Sequence, residues 1–203
     1  MVDPAVALRR LQDGNARFVA NLQRSEAMTS AVRRAEVADN HRPFAVILGC
    51  SDARVPAEIV FDQGLGDLFV IRVAGNVVAP SQVGSVEFAV ERFGVQLVVV
   101  LGHSRCGAIE ATLEALSRPG QAQSPGLRSI VDRVRPSIEG LLHTELGRDR
   151  PRLVQEAVEA NIRASVNQLR HGSEILERLV LAGRLQIAGA EYALDSGQVR
   201  FLD

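Results

Sequence analysis

The chain has 203 residues, 46% hydrophobic and 23% charged, which is the composition of a soluble globular protein long enough for one domain with a sizeable core. All 23 basic residues are Arg, and 24 acids leave a net charge of -1, so no positive field draws a polyanion and nucleic acid is not an expected partner. No apolar run has the length of a membrane span. The opening MVDPAVALRRLQDGNARF carries acids and a helical period instead of a secretory signal, so cytoplasm is the expected compartment.

Residues 4–22 place Leu8, Leu11, Phe18 and Leu22 at near-helical intervals, with a break expected at Gly14, and 28–39 predicts a second, polar helix. Residues 1–39 are thus a helical arm of a single domain spanning 1–203. The run Phe44–Gly49, entered from Pro43, predicts a strand buried on both faces. Runs 68–73 and 97–102 repeat that character, and 185–190 does so more weakly. Helices are predicted over 55–61, 81–93, 106–117, 127–142, 151–170 and 173–182, with a surface loop from Arg118 to Gly126. A last strand, Val199 to Leu202, follows the turn signal Asp195-Ser-Gly197 and should pair antiparallel with its predecessor. This alternation predicts an α/β fold: a mostly parallel central sheet flanked by helices, with a short antiparallel C-terminal edge strand. Gly64-Leu-Gly66 precedes a strand, so it reads as a turn and not as a phosphate loop.

In open parallel sheets, ligands bind beyond the carboxyl ends of the strands. Two strands here end on metal-ligand chemistry: Cys50-Ser-Asp52-Ala-Arg54 follows the first, and His103-Ser-Arg-Cys106-Gly107 follows the third. A lone thiol at a strand end is ordinarily a small buried hydrophobe. Here, however, both cysteines of the chain fall at strand ends, one with Asp52 and the other with His103. Cytosolic thiols stay reduced, which disfavours a disulfide between them. Cys50, His103 and Cys106 form a donor set suited to tetrahedral Zn2+, and placement of Cys106 at a helix N-terminus should lower its pKa. Asp52 is a candidate fourth ligand that would close the site, whereas the fork of Arg54 would hold it off the metal. Acid is expected to favour Asp52 on the metal; a pH above about 7 to 8, the range in which zinc-bound water ionises, is expected to favour Arg54. His41, His143 and His171 receive no role.

These two motifs, about fifty residues apart, resemble the β-class carbonic anhydrases, whose zinc motif is Cys-x-Asp-x-Arg followed by His-x-x-Cys. The match is strongest from Ala45 to Gly107, including Phe69–Asn76 and Gly84–Glu87, and extends more weakly from Gly14-Asn-Ala-Arg-Phe18 to the segment 192–202. The resemblance implies a zinc enzyme that hydrates carbon dioxide to bicarbonate. It implies Cys50, His103 and Cys106 as ligands, Asp52 with Arg54 as the catalytic pair, and Gly107 as a backbone donor to substrate. It also implies a homodimer or dimer of dimers, with Phe69, Ala74 and Phe88 in an apolar substrate wall shared between subunits. Leu8, Leu11 and Phe18 are then expected across the subunit interface. Ala53 stands where many members have Ser, and Val73 where many have Asn. Ile47 replaces the Trp of an inhibitory bicarbonate pocket found in some bacterial members, whose other parts Arg72 and Tyr192 resemble, so regulation by that route is not expected. Hydrolysis of carbonyl sulfide or carbon disulfide on the same zinc, and a non-catalytic zinc scaffold, are the alternative readings. A nucleotide-binding domain would need a glycine loop after a strand, and none is present.

Overall fold

The apolar runs become a five-stranded sheet in the computed structural model, which describes residues 1–24, 28–118 and 123–202. The strands are β1 (Ala45–Gly49), β2 (Leu68–Arg72), β3 (Leu97–His103), β4 (Gln186–Tyr192) and β5 (Val199–Leu202), in the spatial order β2-β1-β3-β4-β5. All neighbours are parallel except β4 and β5. The helices are α1 (Pro4–Val19), α2 (Ala31–Ala38), α3 (Ala57–Val60), α4 (Pro80–Phe93), α5 (Gly107–Ser117), α6 (Pro125–Ile138), α7 (Arg150–His171) and α8 (Glu174–Leu181). Among the described residues, no helix is long and apolar enough to cross a membrane.

The two-residue period of a strand sorts its apolar side chains onto two faces. Val46, Leu48, Val98 and Val100 join a core with Val86 of α4, Leu113 of α5, Val134 of α6, Ile162 of α7 and Leu176 of α8. Ala45, Ile47, Leu97, Val99 and Leu101 form the opposite core, with Ala7 and Leu11 of α1 and with Ala57, Val60 and Phe61. Among the described residues, the second face has only a one-turn helix, α3, besides α1, so α1 is needed to keep it dry.

That requirement changes the reading of Leu11 and of Gly14. Leu11 is fully buried within its own chain and so covers the sheet without a subunit interface, while Leu8 and Phe18 are partly buried against the same core. Gly14 does not break the helix, because α1 runs through it. A Cβ at residue 14 would lie 1.8 Å from the Phe61 carbonyl oxygen, so the glycine permits close approach to the turn after α3. Asn15 fastens that approach: its Nδ2 donates to the carbonyls of Val60 (3.1 Å) and Gly197 (2.8 Å), and its Oδ1 accepts from Val199 N–H (2.8 Å). Arg17 pairs with the buried Asp62, which also accepts from the Arg24 backbone N–H.

The polar helix α2 buries no residue and is tied down by Arg33, which donates to the Leu65 carbonyl and the Asp67 carboxylate. Gly64 and Asp67 close the expected turn. The helix predicted over 127–142 starts at Pro125 and ends at Ile138, shortly after Pro136, and the chain continues as a tighter 3-10 turn over Glu139–His143. Residues 119–122 of the predicted loop from Arg118 to Gly126 lie outside the described residues.

Because Leu11 is enclosed by residues of its own chain, Leu11→Ala should cost about 2–5 kcal/mol of folding stability. Equilibrium unfolding should show that loss independently of protein concentration, whereas an interface role would make it concentration-dependent.

Candidate metal centre

From β1 the chain moves to β2 on one side and then returns to β3 on the other, so a crevice opens between the carboxyl ends of β1 and β3, the switch point where open α/β sheets bind ligands. Cys50 follows β1 directly, His103 is the last residue of β3, and Cys106 is the cap residue of α5. Arg105 takes a left-handed φ of 54° in the tight turn between the last two. The ligand atoms of the three residues lie within 4.8 Å of one another. All three residues are buried, and the two free sulfurs are 4.0 Å apart.

The histidine is oriented for coordination. Its Nδ1 lies 3.0 Å from the Ser104 carbonyl oxygen, which only accepts, so the proton sits on Nδ1 and the lone pair on Nε2. Nε2 is buried with no hydrogen-bond partner. A bare imidazole nitrogen beside two thiols, with its far nitrogen held by a carbonyl, fits a tetrahedral metal of zinc type.

Burial and mutual contact polarise the thiols. Cys50 is pulled down to about 4, chiefly by the hydrogen bond with Cys106; burial opposes this, while His103 and the Gly75 N–H reinforce it. Cys106 is pushed up by that same contact with Cys50 and by burial, and the amides of Ile109 and Ala108 offset this only in part. The amides at the helix N-terminus thus lower Cys106 as expected, but the contact with Cys50 and burial outweigh them.

Asp52 points its carboxylate at Arg54. Oδ1 accepts from the Arg54 backbone N–H (3.0 Å) and Nε (2.9 Å), and Oδ2 accepts from Nη2 at 2.7 Å. These bonds hold the carboxyl well below the usual carboxylate range. Oδ2 stays 3.9 Å from His103 Nε2, so the carboxylate borders the cluster while committed to the guanidinium. Two contacts escaped the sequence reading. Arg72, at the end of β2, donates to the carbonyls of Cys50 and Asp52, which braces the turn carrying both residues. Gly75 N–H donates to Cys50 Sγ at 3.3 Å. The visible signal was Gly75 followed by Asn76, both with positive φ in the structure.

Gly107 is exposed at the first position of α5. Ala74 is exposed, and Phe69 and the half-exposed Phe88 form an aromatic group with Phe93, with ring centroids 5.8–6.2 Å apart. His41 stacks on Phe93, His171 meets Glu177, and His143 ends a 3-10 turn; none joins the cluster. Ile47 and Tyr192 are buried in the α1-side core. A cleft of about 770 Å³ lies beside the Ser104–Arg105 turn, lined also by Glu110, Arg150, Glu191 and Arg200, but Cys50, His103 and Cys106 do not line it.

Residues 45–199 match the profile of the carbonic anhydrase family. A carbonic anhydrase of Mycolicibacterium smegmatis is 45% identical over 97% of this chain and 92% of its own length. Carbonic anhydrase 2 of Mycobacterium tuberculosis is 40% identical over 99% of this chain and 94% of its own. The crystal structure of a β-carbonic anhydrase from Aspergillus fumigatus superposes with a TM-score of 0.76 at 25% identity, covering 98% of this chain and 90% of that one.

A serine hydroxyl is a poor substitute for thiolate toward a soft cation. Cys106→Ser should therefore retain little metal after dialysis against a chelator that leaves the parent loaded, as measured by elemental analysis. Full occupancy in that variant would remove Cys106 from the ligand set.

Proposed function

This chain is a β-class carbonic anhydrase, and on that premise we propose that it is a zinc enzyme catalysing reversible hydration of carbon dioxide to bicarbonate and a proton, working in the cytoplasm where its thiols stay reduced. The observation that carries the reading is the unpartnered His103 Nε2 facing two thiols, with the Asp52 carboxylate held beside it by Arg54.

Cys50, His103 and Cys106 would hold the zinc. When bound, zinc supplies the Lewis acidity that makes water a nucleophile at neutral pH. Asp52 stays ionised because Arg54 hydrogen-bonds both its oxygens. Its Oδ2 accepts a hydrogen bond from the attacking oxygen and so aims a lone pair at the carbon. Arg54 acts on orientation, since its fork keeps the carboxylate from turning onto the metal. Carbon dioxide is uncharged and needs an apolar approach, which Phe69, Ala74 and Phe88 supply. As bicarbonate forms, negative charge develops on the substrate oxygen, and the Gly107 N–H at the start of α5 would donate to it.

The half-exposed Phe88, in contact with Phe69 and Phe93 near the sheet edge at β2, supports a homodimer or dimer of dimers that covers this aromatic group. Sedimentation at assay concentration should find no active species smaller than a dimer. An active monomer would contradict that assembly.

Zinc content and carbon dioxide hydration should be measured on one preparation. About one zinc per chain is expected, with activity lost on chelation and restored by zinc. Zinc-loaded protein that leaves carbon dioxide untouched but hydrolyses carbonyl sulfide would transfer the reading to that substrate. Asp52→Asn should keep its zinc and lose about 100-fold or more in turnover, and Arg54→Ala should be similarly impaired. A fully active Arg54→Ala would refute the role given to the pair.

A further inference from the structure

Helix α7 packs Leu153, Ala157, Val158, Ile162, Val166 and Leu169 into the core. Three polar residues at intervals of four and three, Asn161, Ser165 and Gln168, interrupt that apolar surface. Asn161 and Ser165 are 3% and 4% exposed. Burying such groups is unfavourable unless each is hydrogen-bonded, and each here is bonded to the backbone of one segment. Asn161 Nδ2 donates to the Gly75 carbonyl (2.8 Å), Ser165 Oγ to the Asn76 carbonyl (3.1 Å) and Gln168 Nε2 to the Val78 carbonyl (3.3 Å). The segment so gripped, residues 75–78, begins in the 3-10 turn Ala74–Asn76, in which Gly75 and Asn76 take left-handed φ values of 68° and 44°.

The segment's other side faces the metal centre. Gly75 N–H points at Cys50 Sγ, 3.3 Å away. A Cβ on Gly75 would lie 3.0 Å from Ala108 Cβ in α5, so the turn is wedged against the helix that carries Cys106. One residue therefore offers its N–H to a ligand sulfur and its C=O to Asn161. The donor direction is unambiguous, because a carbonyl only accepts.

We propose that Asn161 is a positioning residue for Cys50: by holding the Gly75 carbonyl it fixes the orientation of that residue, and so keeps the Gly75 N–H on the ligand sulfur. A donor aimed at a coordinating sulfur restrains its orientation and tempers its charge, and loss of such outer contacts typically costs 10–100-fold in metal affinity or activity. The inference rests on Cys50 being a metal ligand, as in the proposed function.

The test compares zinc-loaded parent, Asn161→Ala and Gln168→Ala for the rate of zinc release to an excess of chromogenic chelator. Cobalt-substituted forms are compared for their thiolate-to-metal charge-transfer absorption. Asn161→Ala should release zinc about 10–100-fold faster and shift the cobalt–thiolate band, whereas Gln168→Ala, whose bond lies beyond the turn, should keep the parent's rate and spectrum. If Asn161→Ala does not accumulate as folded protein, Asn161→Ser, which is smaller and offers a hydroxyl donor in place of the amide, is read in the same two assays and should fall between Asn161→Ala's expected behaviour and the parent's. A parent rate and spectrum in a folded Asn161 variant would overturn the positioning role alone. Equal acceleration in Gln168→Ala would reduce the effect to loosened packing and also overturn it. A parent that binds no zinc would instead overturn the metal reading beneath it.

Discussion

Parallel pairing of β1 with β3 is the constraint on which the site depends. Their register sets Gly49 opposite Leu101, so Cys50 emerges from one strand beside the point where His103 ends the other. Two ligands fifty-three positions apart in sequence become neighbours because two apolar strands hydrogen-bond side by side. Cys106 completes the set because the turn after His103 is short and leads at once into α5. A register slip of one residue would turn each strand's side chains to the opposite face and scatter the donors.

A donor set this deeply buried is unstable without outer partners. The fold supplies them from four places: the Ser104 carbonyl for His103, Gly75 N–H for Cys50, Arg72 for the carbonyls of Cys50 and Asp52, and Arg54 for the Asp52 carboxylate. Among the described residues, His103 Nε2, whose lone pair a metal would use, stays without a hydrogen-bond partner. Asn76 Nδ2 is also unpartnered, one residue beyond the amide that reaches Cys50.

The opposite face of the sheet shows how a helix outside the alternating pattern is recruited. Gly14 lets α1 approach the Phe61 carbonyl, Asn15 ties it to both the end of α3 and the C-terminal hairpin, and Arg17 pairs with Asp62. This short stretch joins the first helix to the last strand, and it encloses the α1-side core that also contains Ile47 and Tyr192. The N-terminal segment thus packs onto the sheet, while the half-exposed Phe88, with the partly buried Phe69 and Phe93, lies near β2.

The alternation of apolar strands and amphipathic helices made the α/β class legible, and the two short motifs placed Cys50, Asp52, Arg54, His103 and Cys106 at strand ends before any coordinates. Local period and residue chemistry suffice for that much, because strand burial and ligand type are written in adjacent residues. Strand order, the role of α1, the charge of Cys106 and the Asn161–Gly75–Cys50 connection were not legible in this way. Each depends on groups distant in sequence: Leu11 is buried because α1 lies over the second sheet face, and Cys106 is raised first by another sulfur 4.0 Å away and then by burial. Asn161 looks like a stray polar residue on an apolar helix until packing sets it against the Gly75 carbonyl, 86 positions earlier. Sequence determined which chemistry the chain carries, and tertiary packing decided which groups meet, because hydrogen bonds and charge shifts act over a few ångströms without regard to distance along the chain.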